Sequence, residues 1–160
     1  MRIPHVQESD VLPGPKALGQ RVAEKARRHG ISDALHRFTS VLGGFYLVTA
    51  GINAGLALGR ADLYRSFAEG APLTWVQDAW AATFGAHPAP WALGLAAGEV
   101  VLGTALLSGG RWAVAGYAGV VAFHLGLLVF GPWAWAWAVP VLAVVVPVGV
   151  RYLRRYRGGA

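Results

Sequence analysis

The sequence contains no cysteine. Disulfide exchange, thiolate catalysis, cysteine-ligated iron–sulfur clusters and cysteine–zinc sites are therefore excluded within this chain. Charge is scarce as well. Asp, Glu, Lys and Arg together make up 14% of 160 residues, against roughly 25% in a soluble domain. The missing charge is concentrated in the second half, where long apolar runs recur. No secretory signal is expected at the start. Such a signal joins a short basic start to an apolar stretch and a small-residue cleavage site. Here the first apolar stretch begins only near Val41, after a long polar lead.

What is abundant is apolar. Hydrophobic residues are 55% of the chain and mean hydropathy is +0.45. Four runs are predicted to cross a membrane: about 38–59, 91–108, 112–130 and 133–150. Each is about 18–22 residues, enough for a hydrocarbon core of roughly 30 Å at 1.5 Å per residue. Gly109-Gly110-Arg111 and Gly131-Pro132 are tight turns, which force antiparallel neighbours. The expected fold is all-α: an integral membrane four-helix bundle with an N-terminal cytoplasmic amphipathic helix and a short external helical cap.

The net charge of +6 sits at the chain ends and at one short turn. That distribution points to membrane orientation, whereas nucleic acid would require a broad basic face. Arg21, Lys25, Arg27, Arg28 and Arg37 precede the first span, Arg111 lies between the second and third, and Arg151 to Arg157 follow the fourth. Four spans put all three basic sites on one side. The Lys/Arg bias then makes both ends cytoplasmic and the 60–90 connection external, in the plasma membrane.

Residues 1–36 form the first division. Pro4, Pro13, Gly14 and Pro15 make an extended arm. Lys16 to His29 is predicted to be a basic helix with a weak apolar stripe at Leu18, Val22 and Ala26. It either lies on an anionic leaflet or is simply solvated. Gly30 is expected to break it and Ser32 to cap the next helix. Residues 37–150 form the membrane domain, and 151–160 a basic cytoplasmic tail. Within the connection, Leu63–Ala68 and Trp75–Phe84 read as helical. Their tryptophans, with Trp91, Trp133, Trp135 and Trp137, form either an aromatic belt or a cap over the outer mouth.

Gly51, Gly55 and Gly59 recur at every fourth position, a spacing that lets membrane helices approach closely. Gly94, Gly98 and Gly119 are further candidate packing positions, and Pro140 is expected to kink the fourth span. Asn53 lies nearly opposite the glycine seam, because two residues turn a helix by about 200°.

Glu99 is the most informative residue. A carboxylate in mid-span is expensive and faces a partner, water or the interior. His124 and Asn53 lie at matching depth, roughly 10–13 Å from the outer interface at 1.5 Å per residue. Tyr117 is two turns from His124, and Tyr46 two turns from Asn53. Together these residues are expected to form a polar cluster, with His124 as the partner of Glu99. The cluster either locks helices together or binds a ligand and moves a proton. No metal site is expected, since the core holds one acidic residue. Bis-histidine haem ligation lacks a second histidine at depth, with His36 and His87 both at interfaces.

The stretch RFTSVLGGFYLVTAGINA, Arg37 to Ala54, resembles the first span of the DoxX/DoxD family of small four-helix membrane proteins. LYRSFAEG and then LGLAAGEVVLGTALLSGGRWA resemble that family's second span and its approach. The shared pattern falls on Glu99, Gly103, Leu106, Gly109 and Arg111, and the likeness covers about Arg37 to Val150. Family members often carry a lysine near the end of the first span, where this chain has Asn53 and Gly55. The resemblance implies association with a membrane redox system, and a quinone as candidate ligand with no covalent cofactor. Two alternatives remain: a non-catalytic anchor or assembly subunit docking a partner protein, and a small oligomeric transporter or hydrophobic-ligand carrier. Expected partners are membrane lipids and either another protein or further copies of the chain, with no nucleic acid.

Overall fold

The computed structural model describes residues 15–158. The proline-bearing arm, 1–14, lies outside the described residues, as do the side chains of the basic stripe from Lys16 to Arg28. The chain divides into two compact units, Met1–His36 and Arg37–Ala160. All described regular structure is helical: α1 (Pro15–Gly59), α2 (Thr74–Trp80), α3 (Pro88–Ser108), α4 (Gly110–Leu127) and α5 (Pro132–Gly158). Gly30 and Ser32 fall inside α1, so the expected break is absent. One glycine costs a helix about 1 kcal/mol relative to alanine, which its helix-forming neighbours outweigh.

Four stretches are long and apolar enough to cross a membrane: Asp33–Gly59, Pro88–Ser108, Gly110–Phe130 and Pro132–Gly158. The protein is a multi-pass membrane protein. Its apolar side chains point outward as well as inward. Val41, Leu58 and Val101 are all more than 60% exposed. In water such a surface would drive association, but lipid solvates it. Helices keep backbone groups paired internally, as hydrocarbon requires, except where Pro140 and Pro147 each remove one donor from α5.

A shared core joins the four spans. Tyr46 of α1, Leu106 of α3, Tyr117 and Val120 of α4, and Val145 of α5 pack together. The sharp reversals use glycine where the backbone demands it. Gly109 and Gly110 have φ of 70° and 54°, and Gly131 has φ of 95°, a region that a side chain disfavours. Beside the first reversal stands the far end of α5: the Tyr152 hydroxyl neighbours Gly109, and its ring lies 5.6 Å from Tyr117. Beside the second stands the 60–90 connection, whose Gly70 carbonyl backs onto Gly131. α5 continues as one helix through Pro140, Pro147 and the basic residues to Gly158.

Close helix approach occurs at glycines other than the expected seam. A methyl group added to Gly103 would come 2.8 Å from the Gly43 carbonyl oxygen, and one at Gly116 3.0 Å from the Leu106 backbone nitrogen. Gly119 does pack, against Leu102. Gly51, Gly55, Gly59, Gly94 and Gly98 have open space beside them. The reason is rotational. Asn53 turns inward, so Gly51 and Gly55, each about 200° away, turn outward.

The 60–90 connection is compact. A tight 3-10 helix, Ala61–Ala68, leads to α2, which widens into a π turn over Ala81–Gly85. Tyr64 packs with Ala57 and Ala92, fixing the segment to the ends of α1 and α3. Trp80 stacks flat on Phe84 at 4.0 Å and on Phe67 at 5.1 Å. Phe67 meets Trp133 edge-on at 4.4 Å and Phe130 at 5.0 Å. The Trp80 indole donates to the Tyr64 carbonyl at 2.8 Å, and Arg65 donates to the Gly85 carbonyl. These rings form a lid across the ends of α3, α4 and α5. Trp75, Trp91, Trp135 and Trp137 are about half exposed, as in an interfacial belt.

Candidate functional site

Glu99 is the single buried acidic side chain among the described residues, at 6% exposure. It sits in the middle of α3, on the stripe with Ala92, Ala96, Gly103 and Leu106 that faces the other helices. Asn53 of α1 donates from Nδ2 to Glu99 Oε2 at 2.8 Å. Tyr64 of the lid donates to Asn53 Oδ1 at 2.5 Å. Both bonds agree on one orientation of the Asn53 amide, since its nitrogen only donates and its oxygen only accepts. The Thr49 hydroxyl, bonded to the Tyr46 carbonyl at 3.0 Å, interacts with the same carboxyl. Burial pushes the Tyr64 phenol above its ordinary range, and the nearby Glu99 charge adds to that shift.

Hydrogen bonds divide the expected five-residue cluster into three ties, with Tyr46 still near enough to Glu99 to sense its charge. His124 is buried, but its Nδ1 donates to the Val120 carbonyl at 2.9 Å, with the Tyr46 hydroxyl 3.5 Å away. No hydrogen bond joins it to Glu99. Tyr117 meets Thr39 at 2.9 Å. Matching depth was therefore not matching direction. Depth depends on residue count alone, whereas direction depends on the packing angle of each helix. The Thr39–Tyr117 and Tyr46–His124 pairs are each separated by 78 positions, so α1 and α4 run parallel here in a fixed register.

Thr39, Tyr46 and Asn53 recur every seven residues along α1, and this is the signal that could have found Thr39. Tyr64 and Thr49 carried no such mark. Tyr64 reaches Asn53 only because the 3-10 helix folds back over the end of α1.

Above Glu99 lies a cavity of about 520 Å³, within the usual range of roughly 300–1,000 Å³ for small-molecule sites. Its polar wall is Asn53, Tyr64 and Glu99. The remainder is largely aromatic, with Phe67, Trp80 and Phe84 from the lid, Phe123 and Phe130 from the third span, and Trp133 and Trp137 from α5. Such a site excludes water from most of a ligand. It presents a carboxyl that can accept a hydrogen bond, or donate one when protonated, to a single polar group on a flat apolar molecule. Among the described residues no three His, Asp or Glu side chains gather as metal ligands.

Compared with known proteins, the chain matches no family model, and no curated protein or solved structure shows significant similarity to it.

Proposed function

We propose that the chain is a DoxX-like membrane subunit of a redox system that takes a quinone, or a similar flat lipophilic carbonyl compound, into the Glu99 cavity. The observation that supports this best is chemical: a 520 Å³ space walled by rings and closed on one side by Glu99, Asn53 and Tyr64. Aromatic walls suit a planar ring, and the Glu99 carboxyl in its acid form donates to a ring carbonyl. In this reading the four spans form a bundle in the plasma membrane with both ends cytoplasmic and the lid external. The Lys/Arg bias supports that orientation. The basic Arg111 turn and the basic end of α5 share one end of the molecule, and the lid shares the other with the uncharged Gly131-Pro132 turn.

The test is titration of the purified protein with decylubiquinone, following quenching of tryptophan fluorescence, since Trp80, Trp133 and Trp137 line the cavity. Saturable quenching is expected, weakened at least tenfold by Glu99→Gln with the fold intact. Absence of saturable quenching in the unaltered protein would defeat the reading.

A second reading rests on a specific feature: Glu99 is already satisfied by Asn53. That arrangement also suits a helix lock in a non-catalytic anchor subunit. Under it, Glu99→Gln is mild in every assay, because an amide still accepts a hydrogen bond.

A further inference from the structure

His124 is 2% exposed, and its Nδ1 lies 2.9 Å from the Val120 carbonyl oxygen one turn back. A carbonyl only accepts, so Nδ1 carries the ring proton and Nε2 of the neutral ring carries the lone pair. No hydrogen bond reaches Nε2 among the described residues. It is also not sealed in, because no fully buried side-chain nitrogen or oxygen in the described residues lacks a partner. Nε2 therefore keeps a sliver of accessible surface. The space that His124 lines is a groove of about 230 Å³ between α1 and α5, walled by Phe38, Tyr46 and Val141 and open at its rim past exposed Val41, Phe45 and Trp137. Trp137 is also part of the wall of the larger cavity.

We propose that this cavity is a second ligand site, selective for a single-ring phenol whose hydroxyl donates to His124 Nε2. Three features define the class. The unprotonated nitrogen accepts only, so a ketone or quinone carbonyl would set acceptor against acceptor, whereas a hydroxyl completes the bond. The walls are rings, with Phe45 and Trp137 6.1 Å apart at an interplanar angle of 32°, which favours an aromatic body. The volume lies below the roughly 300–1,000 Å³ of drug-sized pockets and the groove is open past exposed Val41, Phe45 and Trp137, so it seats one ring and lets a substituent run outward. An ordered water needs about 2–4 polar partners, and this lining offers the minimum of two, His124 and the Tyr46 hydroxyl, so a phenol displaces at most a weakly held water. Glu99 does not line this space, although Tyr46 lies near enough to sense its charge and Trp137 is shared with the proposed quinone site.

The experiment is nitrogen-15 NMR at neutral pH on histidine-labelled protein in detergent, with His5, His29, His36 and His87 replaced by Gln so that His124 reports alone. The probes are 4-butylphenol and its methyl ether, 4-butylanisole, which has nearly the same shape and no donor. The expected result is an Nδ1–H tautomer in the free protein and a saturable movement of the Nε2 resonance with the phenol. The ether should bind about five- to tenfold more weakly, the worth of one hydrogen bond, and leave Nε2 in place. Val141→Trp, which fills the space beside His124, should remove the response, and Glu99→Gln should retain it. An Nε2–H tautomer, a response without saturation, or equal binding of phenol and ether would overturn the proposal. Loss of the response in Glu99→Gln would do the same, by assigning the phenol to the larger cavity.

Discussion

Tyr64 and Glu99 never touch through a hydrogen bond of their own, yet one amide couples them: Asn53 accepts from Tyr64 at 2.5 Å and donates to Glu99 at 2.8 Å. Replacing Asn53 by Asp keeps the acceptor for Tyr64 but removes the donor for Glu99 and adds a second carboxyl beside the first. Thermal unfolding in detergent should show a loss of about 1–3 kcal/mol. Adding Glu99→Gln should recover much of it, because the Gln amide can then donate to Asp. A coupling energy near zero in this double-mutant cycle, where contacting pairs give about 0.5–3 kcal/mol, would show that Asn53 does not carry the connection.

Glycine substitutions should separate two kinds of surface. Gly116→Ala drives a methyl to 2.9 Å from Leu106 Cγ and 3.0 Å from its backbone nitrogen, so a loss of about 1–3 kcal/mol is expected from overpacking. Gly55→Ala meets nothing within 4 Å. It should be neutral or stabilising by up to about 1 kcal/mol, the difference in helix propensity. Chemical denaturation of both variants, measured side by side, checks the contrast.

Much of this molecule was legible before any coordinates. Span number and depth follow from apolar run length and turn glycines, and Glu99 identifies itself by being the lone carboxylate in the middle of a span. Rotation was not legible. The 51/55/59 spacing describes a smooth helix face, and a smooth face lies equally well against lipid, since lipid tails exert no hydrophobic force that would drive it inward. The pairing of His124 was missed for a related reason. A residue count places it level with Glu99, but its ring is turned toward Tyr46 by how α4 packs on α1. Tyr64 was out of reach because its role depends on the fold-back of a connection, a long-range event that no local pattern encodes.

The lid should open without the spans coming apart. Trp80 stacks on Phe84 and Phe67 and holds the Tyr64 carbonyl. Trp80→Ala removes all of these contacts while leaving the shared core of Tyr46, Leu106, Tyr117, Val120 and Val145 untouched. Hydrogen exchange read by mass spectrometry should quicken over 61–85 and stay unchanged in α3 and α4. Uniform acceleration would mean that the lid and the spans unfold as one unit.

Alkaline pH should reach the lid through Tyr64. Its folded-state pKa lies above the ordinary 10.0, chiefly through burial and secondarily through the Glu99 charge. The folded state thus binds the phenolic proton more tightly than the unfolded state does. The associated stability is complete below about pH 10 and falls as pH rises through the folded-state value. Difference absorbance near 295 nm between the unaltered protein and Tyr64→Phe should show this phenol ionising above pH 10. Ionisation at the ordinary value would mean that Tyr64 is solvated.

The constant spacing of 78 positions across two ties has a mechanical consequence. One pair would act as a pivot about which α1 could turn. Two pairs, seven residues apart along parallel helices, act as a key with two teeth. Sliding α1 by a turn, or twisting it against α4, disengages Thr39 from Tyr117 and Tyr46 from His124 together. Polar pairs used in this way fix alignment more than they add stability, so the two ties hold the 39–46 stretch of α1 in register with α4. Displacement that widens the smaller cavity then falls to α5, whose Trp137 forms a wall of both, whereas the larger cavity can also open through its lid.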